Sequence, residues 1–383
     1  MYNYIPLEQA ADILDSYRKP VNSKERLNLI KGKPLDELFP YYGATGQVGW
    51  IDSFLTDGEY ILLGEDGAPF LNPYAEKAYI IYGKTWVNNH AHILRSKTNN
   101  EFLCYYLNYF NYKNYVSGTT RLKLTQAQMR KIPIPNIPSD EQSRIVASIE
   151  ELFSELDKAV DTLKTTKEQL EVYRQTILVD AFRAATNSTY LKVGCVCAKI
   201  VDCPHSTPKW EKSGKLCLRT TNFKRGYLDL QSPNYVSEET FHDRNRRIIP
   251  QPGDVLYSRE GSVLGIACTI PSNVYPCLGQ RMMLLRSGKK LNNRYLMHYL
   301  NSPMVTNHVI ATKGGTGSPH INVGDIKEFK IPIPSLEEQS NIVRQIEEQL
   351  SSCDNVEKTV DAILAQADAM RQSILKQAFE GTL

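Results

Sequence analysis

The second half of the chain contains a group of side chains that can form hydrogen bonds with the edges of DNA bases. Arginine can bind guanine through two parallel donors, asparagine and glutamine pair with adenine in a similar way, and lysine or threonine more often contacts phosphate. The candidates in this half are Arg219, Thr221, Asn222, Lys224, Arg225, Arg244, Arg246, Arg247, Arg259, Gln280 and Arg281. Any single one could be an ordinary solvated side chain, but the cluster indicates a nucleic-acid surface.

A smaller group of the same chemical types lies in the first half. Asn89 and His90 correspond to Gln280 and Arg281 when NNHAHILR is aligned with GQRMMLLR. The basic residues that accompany them are Arg18, Lys19, Lys24, Arg26 and Lys84. Residues 1–138 hold 15 Lys or Arg against 13 Asp or Glu, so this predicted surface is nearly neutral overall.

The sequence lacks the residues that the obvious enzymatic activities require. An amino-methyltransferase needs an Asp/Asn-Pro-Pro-aromatic loop and a glycine-rich cofactor loop, and neither occurs. The glycine-rich segment 313–318 lacks the Gly-Lys-Ser/Thr ending of a phosphate-binding loop. No acidic cluster typical of a nuclease metal site is found in the sequence. We therefore predict a non-catalytic chain without a cofactor or metal of its own.

The eight cysteines predict neither a disulfide framework nor a zinc site. Cys195, Cys197 and Cys203 precede His205, but their spacing is not that of a zinc finger and the first half has no counterpart. Most of the cysteines lie in strand-like runs, which suits reduced thiols in the cytoplasm. The sequence has neither an apolar run of about 18 residues nor a secretory-type start, so we expect a cytoplasmic protein without membrane contact.

Two copies of one sequence unit set the organisation of the chain. The motif KIPIP occurs at 131–135 and at 330–334, and EQSRIVASIEE after the first copy recurs as EQSNIVRQIEE after the second. The match continues without a gap, at an offset of 197, to Ala181-Phe182 and Ala378-Phe379. Weaker similarity upstream, such as NNEFLCYYLN against NNRYLMHYLN and GEDG against REG, indicates that the preceding globular parts are repeated too.

Each copy of the unit ends in a long helical segment. In the first segment apolar residues recur every seven positions, which is typical of a helix that packs along another helix. The second is less regular, with Cys353 and Glu357 where apolar residues are preferred. The predicted packing residues are Ile149, Leu156, Leu163, Leu170 and Ile177 in the first helix and Ile346, Val360, Ala367 and Ile374 in the second. Each helix would be about 60–65 Å long at 1.5 Å per residue.

The remaining segments are predicted to be mixed α+β domains. Short apolar runs bounded by Gly, Pro, Asn and Asp predict strands at 60–63, 78–82, 254–257 and 282–285, and helices are predicted at 101–114 and 294–301. Residues 186–334 hold 20 Lys or Arg against 10 Asp or Glu, whereas both helical segments are acidic. The predicted divisions are a first domain at 1–138, a helix at 139–185, a second domain at 186–334 and a helix at 335–383.

This alternating order suggests how the candidate residues could be used. Two helices with apolar seams would pair as an antiparallel coiled coil, which gives one chain a pseudo-twofold axis and two heads. Two heads could enter major grooves about one helical turn, roughly 34 Å, or more apart. Because the heads differ in sequence, we expect a bipartite, asymmetric DNA target with an unread spacer. A coiled-coil adaptor without a DNA role and a self-contained nuclease are the alternatives, disfavoured by the uneven charge and the missing acidic cluster respectively.

The chain resembles the specificity subunits of type I restriction-modification systems over essentially its whole length. The resemblance is carried by KIPIP, EQ and a long helix in both copies, by the helix ends RQTILVDAF and RQSILKQAF, by YYGATGQVGWIDSFLTDGEYILLGEDG in the first domain and by DCPHSTPKW, RTTNF, PGDVLYSREGSVLG and CLGQR in the second. It implies two target recognition domains that read double-stranded DNA and alternate with two long helices.

The same resemblance implies the partners. Two copies of an N6-adenine methyltransferase subunit, which hold S-adenosylmethionine, would assemble with the chain. A restriction subunit that translocates DNA with ATP and Mg²⁺ would join them. The acidic helix residues Glu150, Glu151, Glu155 and Asp157 could contact the methyltransferase, although a solvated helix face explains each of them more readily.

Overall fold

The structure is a computed structural model that describes residues 3–185, 188–312 and 319–383. The glycine-rich segment 313–318 considered above lies outside the described residues. The chain forms two compact units: unit 1 consists of Met1–Lys164 and Asp361–Leu383, and unit 2 consists of Thr165–Val360. Each unit therefore combines one α+β domain with a portion of both long helices.

In its described residues, unit 1 contains three small sheets and four short α-helices in addition to its portions of the long helices. Its strands are β1 (Tyr4–Pro6), β2 (Ala11–Ile13), β3 (Phe39–Gly43), β4 (Gly46–Ile51), β5 (Thr56–Asp57), β6 (Tyr60–Gly64), β7 (Ala78–Ile81), β8 (Lys84–Val87), β9 (Ala91–Ser96) and β10 (Pro133–Pro135). Its helices are α1 (Leu7–Ala10), α2 (Ser23–Ile30), α3 (Asn100–Tyr109), α4 (Gln126–Met129) and the first part of α5 (Ser139–Ala184). The strand orders are β2-β9-β6-β7, β4-β3-β8-β5 and β1-β10.

The apolar run Tyr60–Leu63 lies at the centre of unit 1 as part of strand β6, which is buried along its whole length. One face places Ile61 and Leu63 in a core shared with helix α3, and the other places Leu62 in a second core with Val87. A strand covered on both faces needs no polar alternation, which explains the continuous run.

The helix predicted at 101–114 ends earlier than expected. Helix α3 stops at Tyr109, and the next residues turn back toward the domain. The ring of Tyr112 is fully buried, with its centroid 5.1 Å from that of Phe70. Its hydroxyl donates to the Leu107 carbonyl over 2.8 Å. Aromatic packing onto the core therefore ends the helix where local periodicity predicts that it continues.

Unit 2 is built in the same manner. Its strands are β11 (Thr189–Lys192), β12 (Cys197–Asp202), β13 (Lys215–Leu218), β14 (Phe223–Lys224), β15 (Tyr227–Leu228), β16 (Tyr235–Val236), β17 (Val255–Ser258), β18 (Ala267–Thr269), β19 (Cys277–Leu278), β20 (Met282–Ser287) and β21 (Lys330–Ile333). Its helices are α6 (Val193–Val196), α7 (Glu238–Arg244), α8 (Asn293–Asn301), α9 (Pro303–Thr312), α10 (Val323–Glu328) and the first part of α11 (Leu336–Glu380). The strand orders are β12-β20-β17-β18, β16-β13-β19, β14-β15 and β11-β21.

The two units share the strand order of one four-stranded sheet, which fits the repeat predicted from the sequence. The order β12-β20-β17-β18 in unit 2 matches β2-β9-β6-β7 in unit 1. Both KIPIP copies form a strand that pairs antiparallel with the first strand of its unit, β10 with β1 and β21 with β11. Helix α8 follows β20 as α3 follows β9.

Portions of the two long helices run antiparallel within each unit. In unit 1, Arg371 of α11 forms an ion pair with Asp157 of α5 and covers the Phe153 ring, with 5.0 Å between guanidinium carbon and ring centroid. In unit 2, Ile177 of α5 belongs to one core with Ile346 and Cys353 of α11. The predicted packing residues that are buried are Ile149, Leu156, Ile177, Ile346, Val360 and Ala367, and those that are half-buried are Leu163, Leu170 and Ile374.

The polar residue Glu357 in the second seam has basic partners. Lys167 and Arg174 of α5 occupy positions of the first seam, and both face Glu357. Arg174 Nη2 lies 2.8 Å from Glu357 Oε2, and Arg174 Nη1 lies 2.6 Å from Asp354 Oδ1. Charge pairing therefore replaces apolar packing in this part of the helix pair.

We expect Arg174→Met to lower the free energy of unfolding of unit 2 by about 1 kcal/mol. The substitution removes two ion pairs and keeps the apolar stem, while Asp354 and Glu357 stay about half exposed and regain water. Thermal unfolding of the full chain at low and high salt would measure the loss, which should shrink as salt is added. The control Arg144→Met removes a fully exposed helix pair with Asp140 and should change little. An Arg174→Met chain as stable as the wild type at low salt would show that the pairs are dispensable.

Candidate nucleic-acid interface

Three loops of unit 2 meet beside the ends of strands β12, β17 and β20. They are 203–206 after β12, 259–261 after β17 and 279–281 before β20. The Arg259 amide donates to the Arg281 carbonyl over 3.0 Å, and the Gly261 amide donates to the Pro319 carbonyl over 2.9 Å. Main-chain hydrogen bonds therefore hold the loops that carry the predicted residues Arg259, Gln280 and Arg281.

Arg259 lies beneath these loops and not at their surface. Its Nε and Nη2 atoms donate to the Asp202 carboxylate over 2.8 and 3.0 Å, and 9% of its side chain is exposed. His205 Nε2 lies 3.1 Å from the same carboxylate. A guanidinium committed to a two-bond ion pair supports the loop, so the structure gives Arg259 a supporting position where the sequence predicts a base contact.

Arg244 is a second arginine with a buried position. Its guanidinium donates to four main-chain carbonyls: Leu278 over 2.6 Å, Gly279 over 2.9 Å, Ser206 over 3.2 Å and Pro204 over 3.3 Å. Three of these carbonyls belong to two of the three loops, and the Leu278 carbonyl ends strand β19 directly before the loop 279–281. Arg244 therefore ties the loop that precedes Arg281 to the loop that contains His205, unlike its exposed neighbours Arg246 and Arg247.

Arg281 and Gln280 present their side chains at the surface of the three loops. The Arg281 side chain is 53% exposed, and its Nε lies 3.5 Å from Glu260 Oε1. The Arg281 main chain has a φ of 65°, a left-handed conformation that is uncommon for a residue with a Cβ. Gln280 donates from Nε2 to the His205 carbonyl over 2.9 Å, which leaves its side-chain oxygen available as an acceptor.

The remaining predicted residues of unit 2 fall into two groups. Asn222 is buried, and its amide accepts from the Arg219 amide over 2.8 Å and donates to the Asp229 carbonyl over 3.0 Å, so its hydrogen-bonding groups are used within a turn. The others have exposed side chains: Arg219, Thr221, Lys224, Arg225, Arg246 and Arg247. Of these, Arg219 covers the Trp210 ring, and Arg225 donates to the Asn301 carbonyl over 3.3 Å.

Unit 1 brings corresponding loops together with the same main-chain hydrogen bonds. The Glu65 amide donates to the His90 carbonyl over 2.7 Å, as Arg259 does to Arg281. The Gly67 amide donates to the Leu122 carbonyl over 3.0 Å, as Gly261 does to Pro319. Glu65 thus corresponds to Arg259, and the predicted pair Asn89 and His90 stands where Gln280 and Arg281 stand in unit 2.

A buried charge network supports the loops of unit 1. The fully buried His92 lies between Asp15, 2.7 Å from its Nδ1, and the Leu124 carbonyl, 3.0 Å from its Nε2. Arg18 forms ion pairs with Asp15 and Glu65. Burial raises the pKa of Asp15, but hydrogen bonds from His92, the Ile93 amide and Gln126 outweigh it and hold that pKa below its usual value.

The charges of the supporting ion pair are reversed between the two units. Glu65 carries the negative charge in unit 1. Burial raises the pKa of Glu65, but Arg18 and His92 outweigh burial, so this pKa lies below its usual value. Arg259, at the corresponding position in unit 2, carries the positive charge and binds Asp202. Arg18, predicted as a DNA contact, is 18% exposed and belongs to this support. Both units therefore keep an ion pair at this position, but the acid and the base have exchanged places.

The other basic residues predicted in unit 1 surround a different part of the domain. Lys19, Lys24 and Lys84 are exposed, and Lys84 covers the Phe54 ring. Arg26 is half-buried over the Tyr41 ring and donates to the Trp50 carbonyl over 3.3 Å. The rings and carbonyl that Lys84 and Arg26 contact belong to strands or loops of 39–55, and not to the loop that carries His90.

Sequence reasoning missed the acids of both sites: Asp15, Asp66, Asp202 and Glu260. The alignment of GEDG with REG pairs Asp66 with Glu260, so the signal for two of them was present in the repeat. Asp15 and Asp202 could not be found in this way, because their partners His92 and Arg259 lie far along the chain.

Other classes of site are absent from the part of the chain that the structure describes. Within 3–185, 188–312 and 319–383 no group of three or more His, Cys, Asp or Glu side chains could hold a metal ion. Over the same residues no helix is long and apolar enough to cross a membrane. The cysteines there are free, and Cys195 is exposed whereas Cys203 is buried.

A tandem repeat of α+β domains on antiparallel helix segments, with charged loops at corresponding places, defines a modular recognition protein. A sequence profile described as the type I restriction modification DNA specificity domain matches residues 9–172 and 205–364, so the chain belongs to this family. The chain is 29% identical over 350 residues to a Haemophilus influenzae protein named as a type I restriction enzyme specificity subunit, covering 88% of this chain and 85% of that one. The family resemblance noted in the sequence is thereby confirmed.

Two solved structures have the same fold. One is a chain of a type I R-M system, with a TM-score of 0.69 and 18% identity, and the match covers 100% of this chain and 98% of that one. The other is the HsdS subunit from Thermoanaerobacter tengcongensis, with a TM-score of 0.57 and 20% identity, covering 100% and 97%. The predicted α+β architecture, with two recognition domains and two long helices, is thus that of known specificity subunits.

Proposed function

We propose that this chain is the non-catalytic subunit that selects the DNA sequence in a type I restriction-modification complex. Each α+β domain reads one half of a bipartite, asymmetric target through its three loops. The observation that carries the proposal is the repeated loop arrangement, which presents exposed or half-buried polar side chains at corresponding positions of both units. The domains correspond to 1–138 and 186–334, and the helical segments to 139–185 and 335–383.

Contacts with DNA are divided by chemical type. Arg281 and Gln280 in unit 2, and His90 and Asn89 in unit 1, contact base edges, because they lie at the surface of the loops. Phosphates are contacted by Thr221 and by the exposed basic side chains. These basic residues are Lys19, Lys24, Lys84, Arg219, Lys224, Arg225, Arg246 and Arg247. Arg18, Asn222 and Arg259 position loops instead, since their polar groups are already paired.

The chemistry belongs to partner subunits. Two methyltransferase subunits, which hold S-adenosylmethionine, dock on the long helices, and a restriction subunit that uses ATP and Mg²⁺ joins them in the cytoplasm. The exposed acidic side chains Glu150, Glu151, Glu155 and Asp157 are candidates for this docking. Acidic helices and basic domains would thus serve different partners.

Mapping methylated adenines tests this function. We expect DNA from cells that make this chain with its methyltransferase partner to carry N6-methyladenine in one asymmetric motif of two specified halves and an unspecified spacer. Replacing residues 197–329 by the corresponding region of a relative should change one half and preserve the other. Both halves changing together, or DNA cleavage by the purified chain with Mg²⁺ alone, would contradict the proposal.

A further inference from the structure

A carboxylate and an arginine form an exposed pair at the same place in both units. In unit 2 Arg281 Nε lies 3.5 Å from Glu260 Oε1, and in unit 1 Arg121 Nε lies 2.7 Å from Asp66 Oδ1. The arginine side chains are 53% and 60% exposed and the acids 28% and 24%. The two arginines come from different loops, so the pair recurs although the sequence positions of its basic members do not.

The same local backbone supports both pairs. Each acid is followed by a glycine in a left-handed conformation, Gly67 with φ 81° and Gly261 with φ 89°. A Cβ on Gly67 would lie 3.2 Å from Arg121 Nε, and one on Gly261 would lie 3.4 Å from Arg281 Nη1. Each guanidinium therefore rests over a glycine, next to the carboxylate.

The loops that carry the two acids are anchored alike. The Leu124 amide donates to the Glu65 carbonyl over 2.7 Å, and the Ile321 amide donates to the Arg259 carbonyl over 3.0 Å. These carbonyls belong to the residues that precede Asp66 and Glu260. Because these main chains are anchored, the acids are held in place before any ligand binds. Such preorganisation lowers the entropy cost of binding.

The carboxylate of each pair determines whether the pair can bind a phosphate or a base edge of DNA. A phosphate beside Arg281 would also approach the Glu260 carboxylate, and two negative groups repel each other. The major-groove edge of a G·C base pair offers guanine acceptors to an arginine and, beside them, the cytosine amino group to a carboxylate. The exposed pairs are weak enough in water to exchange for these contacts.

We propose that Glu260–Arg281 and Asp66–Arg121 are equivalent readers, each of which specifies one G·C base pair in its half of the target. Arginine binds guanine O6 and N7, and the carboxylate accepts from the cytosine amino group. His90 Nδ1, 3.5 Å from Asp66, lies beside the reader of unit 1 and is placed to contact the neighbouring base. The inference rests on the proposed DNA-reading function and adds three specificity residues: Asp66, Arg121 and Glu260.

Methylation mapping with four single variants tests the readers. Arg281→Ala and Glu260→Ala should each relax the same G·C position in one half, lowering discrimination there about 10- to 100-fold. Arg121→Ala and Asp66→Ala should relax one position in the other half only. Arg281→Lys should retain part of the preference, because lysine keeps one donor to guanine without the two-pronged geometry.

Control variants distinguish a failure of the two proposed readers from a failure of the proposed DNA-selecting function. Lys192→Ala and Arg130→Ala remove exposed ion-paired cations, one in each unit, and should leave the motif unchanged. A uniform loss of methylation at all sequences in the arginine variants, with a gain in the acid variants, would identify phosphate contacts and overturn the readers. A wild-type motif that survives all four substitutions would also overturn them and leave the proposed function intact. A wild-type chain that directs no sequence-specific methylation would overturn both.

Discussion

Replacing Arg244 by alanine is expected to lower the free energy of unfolding of unit 2 by about 3–5 kcal/mol and to abolish sequence reading by its loops. Hydrogen bonds from a charged donor each contribute about 1.5–3 kcal/mol, although four made by one side chain do not add fully. Arg244 is 6% exposed, so alanine would leave its carbonyl acceptors unsatisfied and a cavity beneath the loops.

The substitution Arg244→Lys tests whether Arg244 positions the loops of unit 2 in addition to stabilising the fold. A lysine ammonium cannot reproduce the fork that reaches Pro204, Ser206, Leu278 and Gly279, so we expect it to recover less than half of the loss. The folded Arg244→Lys protein should methylate a motif relaxed in the half read by unit 2, with the other half intact. Arg246→Ala, which removes an exposed neighbour, should change stability by less than about 0.5 kcal/mol. Wild-type selectivity in Arg244→Lys would show that the side chain does not position the loops.

The helical part of the fold could be predicted from the sequence because its signal is local. Seven-residue spacing and the repeat at an offset of 197 locate α5 and α11 to within a few residues of their observed bounds. The defect at Glu357 could not be interpreted, since its partners Lys167 and Arg174 lie on the other long helix. Local periodicity identifies the packing face of one helix, but it does not identify the residues of the other helix that contact this face.

The globular domains show where local signals end. Apolar runs predict β6 and β20, but the parallel pairing of β3 with β8 depends on contacts between residues distant in the chain. The same limit applies to the site, because an arginine that reads DNA and one that binds a buried carboxylate look alike in sequence. Arg259 is such a case, with Asp202 lying 57 positions earlier in the chain. Arg281, by contrast, is exposed as its predicted role requires.

Replacing Asp15 by asparagine should destabilise unit 1 by about 1.5–3 kcal/mol, because it removes the charged acceptor of the hydrogen bonds from His92, the Ile93 amide and Gln126. His92 Nδ1 lies 2.7 Å from Asp15 Oδ2, and its Nε2 lies 3.0 Å from the Leu124 carbonyl oxygen, so Asp15 holds one edge of the fully buried ring. An amide in place of the carboxylate also removes the negative charge that forms an ion pair with Arg18. Gln126 also donates to Asp15 Oδ2 over 2.7 Å, so the lost oxygen cannot be replaced by a simple rotation.

The effect of Asp15→Asn should depend on pH in a defined direction. The pKa of Asp15 is lower in the folded chain than its ordinary value near 4, so the folded state holds the carboxylate charged more strongly than the unfolded state does. The stabilisation is then complete above about pH 4 and is lost as pH falls through the folded pKa. Unfolding of wild type and variant should differ by a constant amount from pH 7 to 5, and the difference should shrink below pH 4.

A matched surface pair and a double-mutant cycle test whether burial causes this effect. Glu8→Gln breaks the exposed pair with Arg130 and should change stability by no more than about 0.5 kcal/mol. Asp15→Asn combined with His92→Gln should show a coupling energy above about 1.5 kcal/mol, since either single substitution already disrupts the buried hydrogen bond between the two side chains. Additive losses would mean that the two side chains act separately. His92 lies in strand β9, which directly follows His90, so the buried network holds the strand that leads from the proposed DNA contact of unit 1.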